Sequence, residues 1–387
     1  MSDPGPTEPN PFDGLPMFKD LAGMFTSRGP LNWDIARQVS LWVAGGGTTP
    51  PNVEPLVRMR FEELARIAEM HVAEITGLTV PGGGAQIVRV VNRTEWAAST
   101  LEAYRPLLER LAGAVAAPVD PDAEPDAAAG FLGGLTQMMS PVLVGMQAGV
   151  MTGQLAQRTF GQYDLPIPRS EDEGLRIVAA NLDAFAAEWD LPIDDVRMWV
   201  LLAELTHHAV LTRPAVRDRI DALLAEYVGG FANDATAIGD KIADLDPTDP
   251  DSFEKVLGDP EAMLGAVQTD AQRATLAQLT AVVAAVEGFV DYVLDTAAPR
   301  LTGQPAVLAE AVRRRRNARG ADQRFIERML GLELTTLTFE HGSDFVNGVI
   351  ARANPDALGK LWTSPTGLPT PAELTAPGLW LARLEFD

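Results

Sequence analysis

The chain contains no cysteine. Disulfides and thiolate metal sites are therefore excluded, and any bound metal would rest on His, Asp and Glu. Histidine is itself scarce, with four in 387 residues. Positive charge is short as well: 31 Lys and Arg face 53 Asp and Glu, a formal net charge of −22. Such an excess repels nucleic-acid phosphates and anionic lipid surfaces, so neither is an expected partner. The opening stretch, MSDPGPTEPNPFDG, lacks the basic and apolar regions of a secretory signal, and the expected location is the cytoplasm. What the chain does have is apolar content. At 46% hydrophobic residues it can bury a large core, as one big domain or two ordinary ones.

Residues 1–30 are rich in Pro, Gly and Asp and are expected to form a disordered tail. Within it, Pro16 to Phe25 could form a short amphipathic helix. Helices are expected from Asn32 to Gly45 and from Val53 to Thr76, where apolar residues recur near helical spacing. His71, alone on the second, reads as a partly buried structural residue. Gly82-Gly83-Gly84 is followed by no Lys-Ser/Thr, so it is not a phosphate loop. Gln86 to Val91 is the best strand candidate. A helix should then run to about Ala116, with Thr94 as its N-cap.

An acidic, Pro-rich linker occupies about 117–130. No charge occurs from Ala127 through Gln157, which is long enough to raise a membrane span. Polar residues and Pro141 interrupt the stretch and no basic cluster flanks it, so a buried helix pair is expected and no stable span. Gly145, Gly149 and Gly153 give that stretch a flat face for close backbone packing. Further helices are expected over Ser170 to Trp189, Val196 to Arg213, Arg217 to Ala243, Arg273 to Leu294 and Asp344 to Trp362. Pro214 should break the chain near Arg213. The loop with Asp244, Asp246, Asp249 and Asp251 lacks the EF-hand glycine and closing Glu, and reads as a solvated turn. The run Arg313 to Arg316 is expected to pair internally, for instance Glu310 with Arg314. The Pro-rich end carrying Trp380 should wrap the surface.

The stretch Val196 to Arg213, VRMWVLLAELTHHAVLTR, is apolar enough for the core, yet it carries Glu204, His207 and His208. AELTH is one residue short of His-Glu-x-x-His. In that motif two histidines one turn apart bind zinc, and the Glu is general base on the metal-bound water. Here Glu204 holds the base position and His207 the second ligand position. Ala203 stands where the first histidine should be. With about 100° per residue, His208 lies at about +40°, His207 at about −60° and Arg197 at about +20° from Glu204, all on one face. Glu287 is the best candidate for a further ligand. It is the lone charge from Ala274 through Val290, with Asp291 one turn on. His207, His208 or Arg197 would serve as its counter-charge. A buried His–Glu or Arg–Glu network joining two helices would use the same residues without a metal.

Several segments together resemble the actinobacterial zincin-like family of hydrolases and zinc-dependent metalloproteases, related to deazaflavin-coenzyme-biosynthesis-associated proteins. They are GPLNWDIARQ (Gly29 to Gln38), VNRTEWA (Val91 to Ala97), GMQAGVMTGQLA (Gly145 to Ala156) and NLDAF (Asn181 to Phe185). LLAELTHHAV (Leu201 to Val210), VEGFVDYVLD (Val286 to Asp295), RRRR (Arg313 to Arg316) and LGLEL (Leu330 to Leu334) continue the series. The resemblance implies a mainly α, zincin-like helical domain over 31–387 with little or no β-structure. It implies a metal site formed by the His-Glu-x-x-His positions and the later Glu. Carried over, these are Ala203, Glu204, His207 and Glu287. A large branch of the family also lacks the first histidine. The expectation is a metalloprotease-like hydrolase homologue with a degenerate zinc site: Glu204 as base, His207 and Glu287 as ligands, His208 or Asp291 assisting. The competing expectation is a non-catalytic binding or scaffold protein. The partner would be a protein or peptide.

Overall fold

A computed structural model of the protein describes residues 29–115, 127–169, 174–230, 270–318 and 320–386. The expected tail up to residue 28, most of the acidic linker and the Asp-rich loop lie outside the described residues. In chain order the elements are α1 (Trp33–Ala44), α2 (Pro55–Thr76), a helical turn (Gly84–Ile87), β1 (Val88–Val91), α3 (Arg93–Ala103), α4 (Arg105–Val115) and α5 (Ala127–Arg158). Then come β2 (Leu175–Val178), α6 (Ala179–Glu188), α7 (Ile193–Leu211), α8 (Pro214–Gly229) and α9 (Asp270–Leu301). The rest is α10 (Pro305–Asn317), α11 (Ala321–Met329), α12 (Thr336–Arg352), 3-10 segments at Pro355–Trp362 and Pro365–Gly367, α13 (Pro371–Thr375) and α14 (Pro377–Phe386). The fold is mainly α, as expected.

Helices α7 and α9 form the middle of the molecule. Both are apolar on nearly every face, and a helix with that pattern is stable only when surrounded. Val196, Leu201, Leu202, Leu205 and Val210 of α7 and Val282, Val286, Val290 and Val293 of α9 are all buried. α7 packs on α2 and on α9, and α9 also packs on α12. α9 is the described helix long and apolar enough to cross a membrane, and 72% of its most apolar window is buried inside the protein.

The chargeless stretch differs from expectation. It is one helix, α5, with Pro141 inside it, rather than a pair. The Pro141 carbonyl accepts the backbone N–H of Asn32 at 2.8 Å, joining the helix to the cap of α1. The glycine face works as expected. A Cβ on Gly149 would stand 2.5 Å from the Ala36 carbonyl oxygen, and one on Gly153 would stand 2.5 Å from Val43 Cβ. Only glycine lets α1 and α5 approach this closely.

Other expectations need correction. The cap of α3 is Asn92, not Thr94. Its Oδ1 accepts the Glu95 N–H at 2.9 Å, and the Glu95 carboxylate accepts the Asn92 N–H at 3.0 Å. That reciprocal box satisfies two free donors at once, and the Thr94 hydroxyl donates to the same Asn92 oxygen. The helix is interrupted at Tyr104. Within the expected helix over Ser170 to Trp189, Leu175–Val178 is a strand. It pairs in parallel with β1, Val88 opposite Leu175 and Val91 opposite Val178. A partner so far back in the chain outweighs the local helical pattern. The expected helix from Asp344 to Trp362 starts earlier, at Thr336, and stops at Arg352 because Pro355 opens a 3-10 segment. Within the Pro-rich end, Trp380 is fully buried, donates to the Gly367 carbonyl at 2.7 Å and meets Phe345 edge-on.

Candidate functional site

α7 carries Glu204, His207 and His208 into the interior, where each is at most 5% exposed. Buried polar groups need partners, and each of the three finds a different one. Glu204 faces the loop that follows α5. Its carboxylate accepts the backbone N–H of Gln162 at 2.9 Å and of Tyr163 at 3.1 Å. Gly161 makes the approach possible, since a Cβ there would lie 2.4 Å from Glu204 Cδ. The Gly161 carbonyl is pinned by Trp96 Nε1 at 3.0 Å and by the Thr159 hydroxyl at 2.7 Å. Burial pushes the Glu204 carboxyl up to about 8, against the pull of His207 and the two N–H groups. It is mostly protonated at neutral pH.

His207 Nε2 lies 3.0 Å from Glu287 Oε1, and Nδ1 lies 2.9 Å from the Ala203 carbonyl. The ring nitrogen facing the Ala203 carbonyl donates to it, and the other shares a proton with the Glu287 carboxylate. Burial opposes charge on the ring, but the Glu287 carboxylate outweighs it and the His207 pKa is raised. His208 points elsewhere. Its Nδ1 meets the Tyr163 hydroxyl at 3.0 Å, and its Nε2 is buried without a hydrogen-bond partner among the described residues. Burial pushes it down to about 4, so it is neutral. The Tyr163 ring stacks on His207 at 5.8 Å.

α9 and α10 supply the rest. Arg316 pairs with Asp291 at 2.9 Å and stands 3.9 Å from Glu287 Oε2. Arg315 pairs with Asp164 at 2.8 Å and lies over the Phe160 ring. The arginine run does pair internally as expected: Arg314 with Glu310 at 2.6 Å, and Arg313 with the same carboxylate. Of the counter-charges expected for Glu287, His207 is there, whereas His208 and Arg197 are not. Arg197 instead binds Asp183 and Asp194, each at 3.2 Å, and covers Phe61. Two contributors had no motif to announce them. One is the loop Phe160 to Asp164, whose only local sign is a polar GQYD after a chargeless stretch. The other is Arg316, which sequence spacing could not direct to α9.

These groups floor a cavity of about 400 Å³. Ala203, Glu204, His207, Glu287 and Arg316 line it, together with Phe160, Phe185 and Trp189. The arrangement sets His207 and Arg316 against the carboxylates of Glu287 and Asp291. It does not fit zinc, which takes three or four protein donors. No three His, Asp or Glu side chains converge for a metal among the described residues. His207 and Glu287 satisfy each other, and Glu204 is turned to backbone amides. Ala203 offers a methyl group, and the Arg316 guanidinium stands beside the other oxygen of Glu287.

A family model described as zincin-like metallopeptidase matches residues 31–381. A crystal structure of a candidate hydrolase with a novel fold, from Chloroflexus aurantiacus, superposes with a TM-score of 0.66 at 22% identity. The match covers 92% of this chain and 99% of that one, and at this identity it speaks for the fold alone. No curated protein matches the chain. The match spans α1 to α14 and both helices that build the cavity floor, so the chain belongs to the zincin-like metallopeptidase family.

Proposed function

We propose that this protein is a hydrolase homologue whose degenerate centre no longer holds zinc, and that its cavity serves ligand binding. One observation carries the reading: the chain of charges His207–Glu287–Arg316–Asp291 at the cavity floor. A guanidinium 3.9 Å from Glu287 supplies the positive charge a metal would bring and repels a second cation. The protein's own residues then hold a proton at Glu204, fix His207 against Glu287 and balance Arg316 with Asp291. The actinobacterial, deazaflavin-associated placement rests on the sequence signposts.

A second reading keeps the hydrolase, with Glu204 as base and His207 and Glu287 as ligands. It is favoured by the position of all three on the cavity wall. Metal analysis of protein purified without chelator separates the two. We expect no stoichiometric zinc, and we expect Ala203→His alone not to restore it while Arg316 remains. Ala203→His combined with Arg316→Leu should bind zinc. Stoichiometric zinc in the natural protein that disappears in His207→Ala would overturn the binding reading.

A further inference from the structure

The cavity holds a second constellation, made of residues other than those of the degenerate centre. Arg93, at the first turn of α3, donates through Nε to Asn181 Oδ1 at 2.7 Å. Asn181 is 5% exposed and is itself fixed, donating to the carbonyls of Ala156 at 3.0 Å and Thr159 at 2.6 Å. This holds the Arg93 side chain by its Nε and leaves the two terminal nitrogens for another acceptor. Among the described residues no carboxylate pairs with Arg93. Arg158, at the end of α5 and lining the same cavity, likewise meets none. Arginines 313 to 316, by contrast, all have acidic partners. Two guanidinium groups lining one cavity, neither paired with a carboxylate among the described residues, suit an anion. A guanidinium whose Nε is already anchored presents a fork suited to carboxylate or phosphate.

The cavity lining is also aromatic. Phe160 and Phe185 meet edge-on at 5.0 Å, and Phe185 and Trp189 lie 6.3 Å apart. All three line the cavity. Its volume of about 400 Å³ falls in the range of small-molecule sites. We propose that the cavity binds a small aromatic oxyanion. Its carboxylate or phosphate is held by Arg93 and Arg158, and its ring lies against Phe160, Phe185 and Trp189. The proposal deepens the ligand-binding reading and names the ligand class.

The test is titration of the full chain with four probes: benzoate, phenyl phosphate, inorganic phosphate and the neutral benzamide. We expect benzoate or phenyl phosphate to bind at least about tenfold more tightly than benzamide or inorganic phosphate. Whichever aromatic anion is preferred names the anion. Arg93→Gln should remove about tenfold or more of that affinity. Arg158→Gln, an exposed position, should weaken it too and guards against a folding defect in the first variant. Equal binding of benzamide and both aromatic anions, or no binding by either anion, would overturn the proposal. So would unchanged affinity in both variants. Zinc content is measured on the same preparation. A zinc-loaded protein that still binds the anion through Arg93 would sink the metal-free reading and leave this one standing.

Discussion

At the residue scale, neighbours on one helix turn meet opposite fates. Glu204 and His208 are both buried, and burial keeps each neutral: the carboxyl is pushed up to about 8 and the imidazole down to about 4. Their effects on stability run in opposite directions. Between about pH 4 and its ordinary 6.5, His208 is protonated in the unfolded chain and not in the folded one. Its contribution is therefore full above about 6.5 and lost as pH falls toward 4. Glu204 is ionised in the unfolded chain above its ordinary 4.5 but stays protonated when folded up to about 8. Its contribution is full below 4.5 and lost as pH rises toward 8. The effects are on the order of 3 kcal/mol for His208 and 5 kcal/mol for Glu204 over their windows. In the natural protein the two slopes partly cancel between pH 4.5 and 6.5. We expect His208→Gln to make stability fall more steeply with rising pH. Glu204→Gln should make it rise. Thermal unfolding across pH 4.5 to 8 reads both, and variants that track the parent's pH profile would show that neither group is held neutral.

At the element scale, the helices at the centre were legible because their sequences leave them no other place. α7 and α9 are apolar all round, so each had to be enclosed, and Glu287 stood out as the lone charge on its stretch. The glycine face of α5 was legible for the same reason, as a pattern within one element. Gly149→Val should cost about 3 kcal/mol, because the new side chain collides with the Ala36 carbonyl and Val39. Gly113→Ala in α4 meets nothing within 4 Å and should gain about 0.5–1 kcal/mol from helix propensity. Chemical denaturation of both variants checks the pair; equal effects would mean that α1 and α5 are not in backbone contact. What stayed hidden depends on distant partners. β2 exists because β1 lies beside it. Asn92 rather than Thr94 caps α3 because Glu95 can reach back. The role of Arg316 depends on where α10 lies against α9, which no local pattern encodes. Trp380 is core because the 3-10 turn ending at Gly367 offers it an acceptor.

At the scale of the whole molecule, a chain of net charge −22 lines one cavity with five arginines, Arg93, Arg158 and Arg314 to Arg316. That contrast makes charge a local matter here: ligand recognition would come from groups within the cavity, not from long-range attraction. The small parallel sheet has a further consequence, and it concerns time. β1 and β2 close a segment that contains three helices, α3 to α5. At the end of β2, the Val178 N–H donates to the Phe160 carbonyl at 2.9 Å, in the loop that holds Glu204. Ordering so long a segment must precede the reward of pairing, so such contacts form late. Ile177, fully buried on β2, reports on that step. We expect Ile177→Val to speed unfolding and leave the refolding rate nearly unchanged in stopped-flow kinetics. Slower refolding with unchanged unfolding would place the strand pair in the nucleus instead. On the expected outcome the helical frame is built before the cavity wall. The chain would then pass through a state with α7 and α9 in place and Glu204 not yet met by its amides.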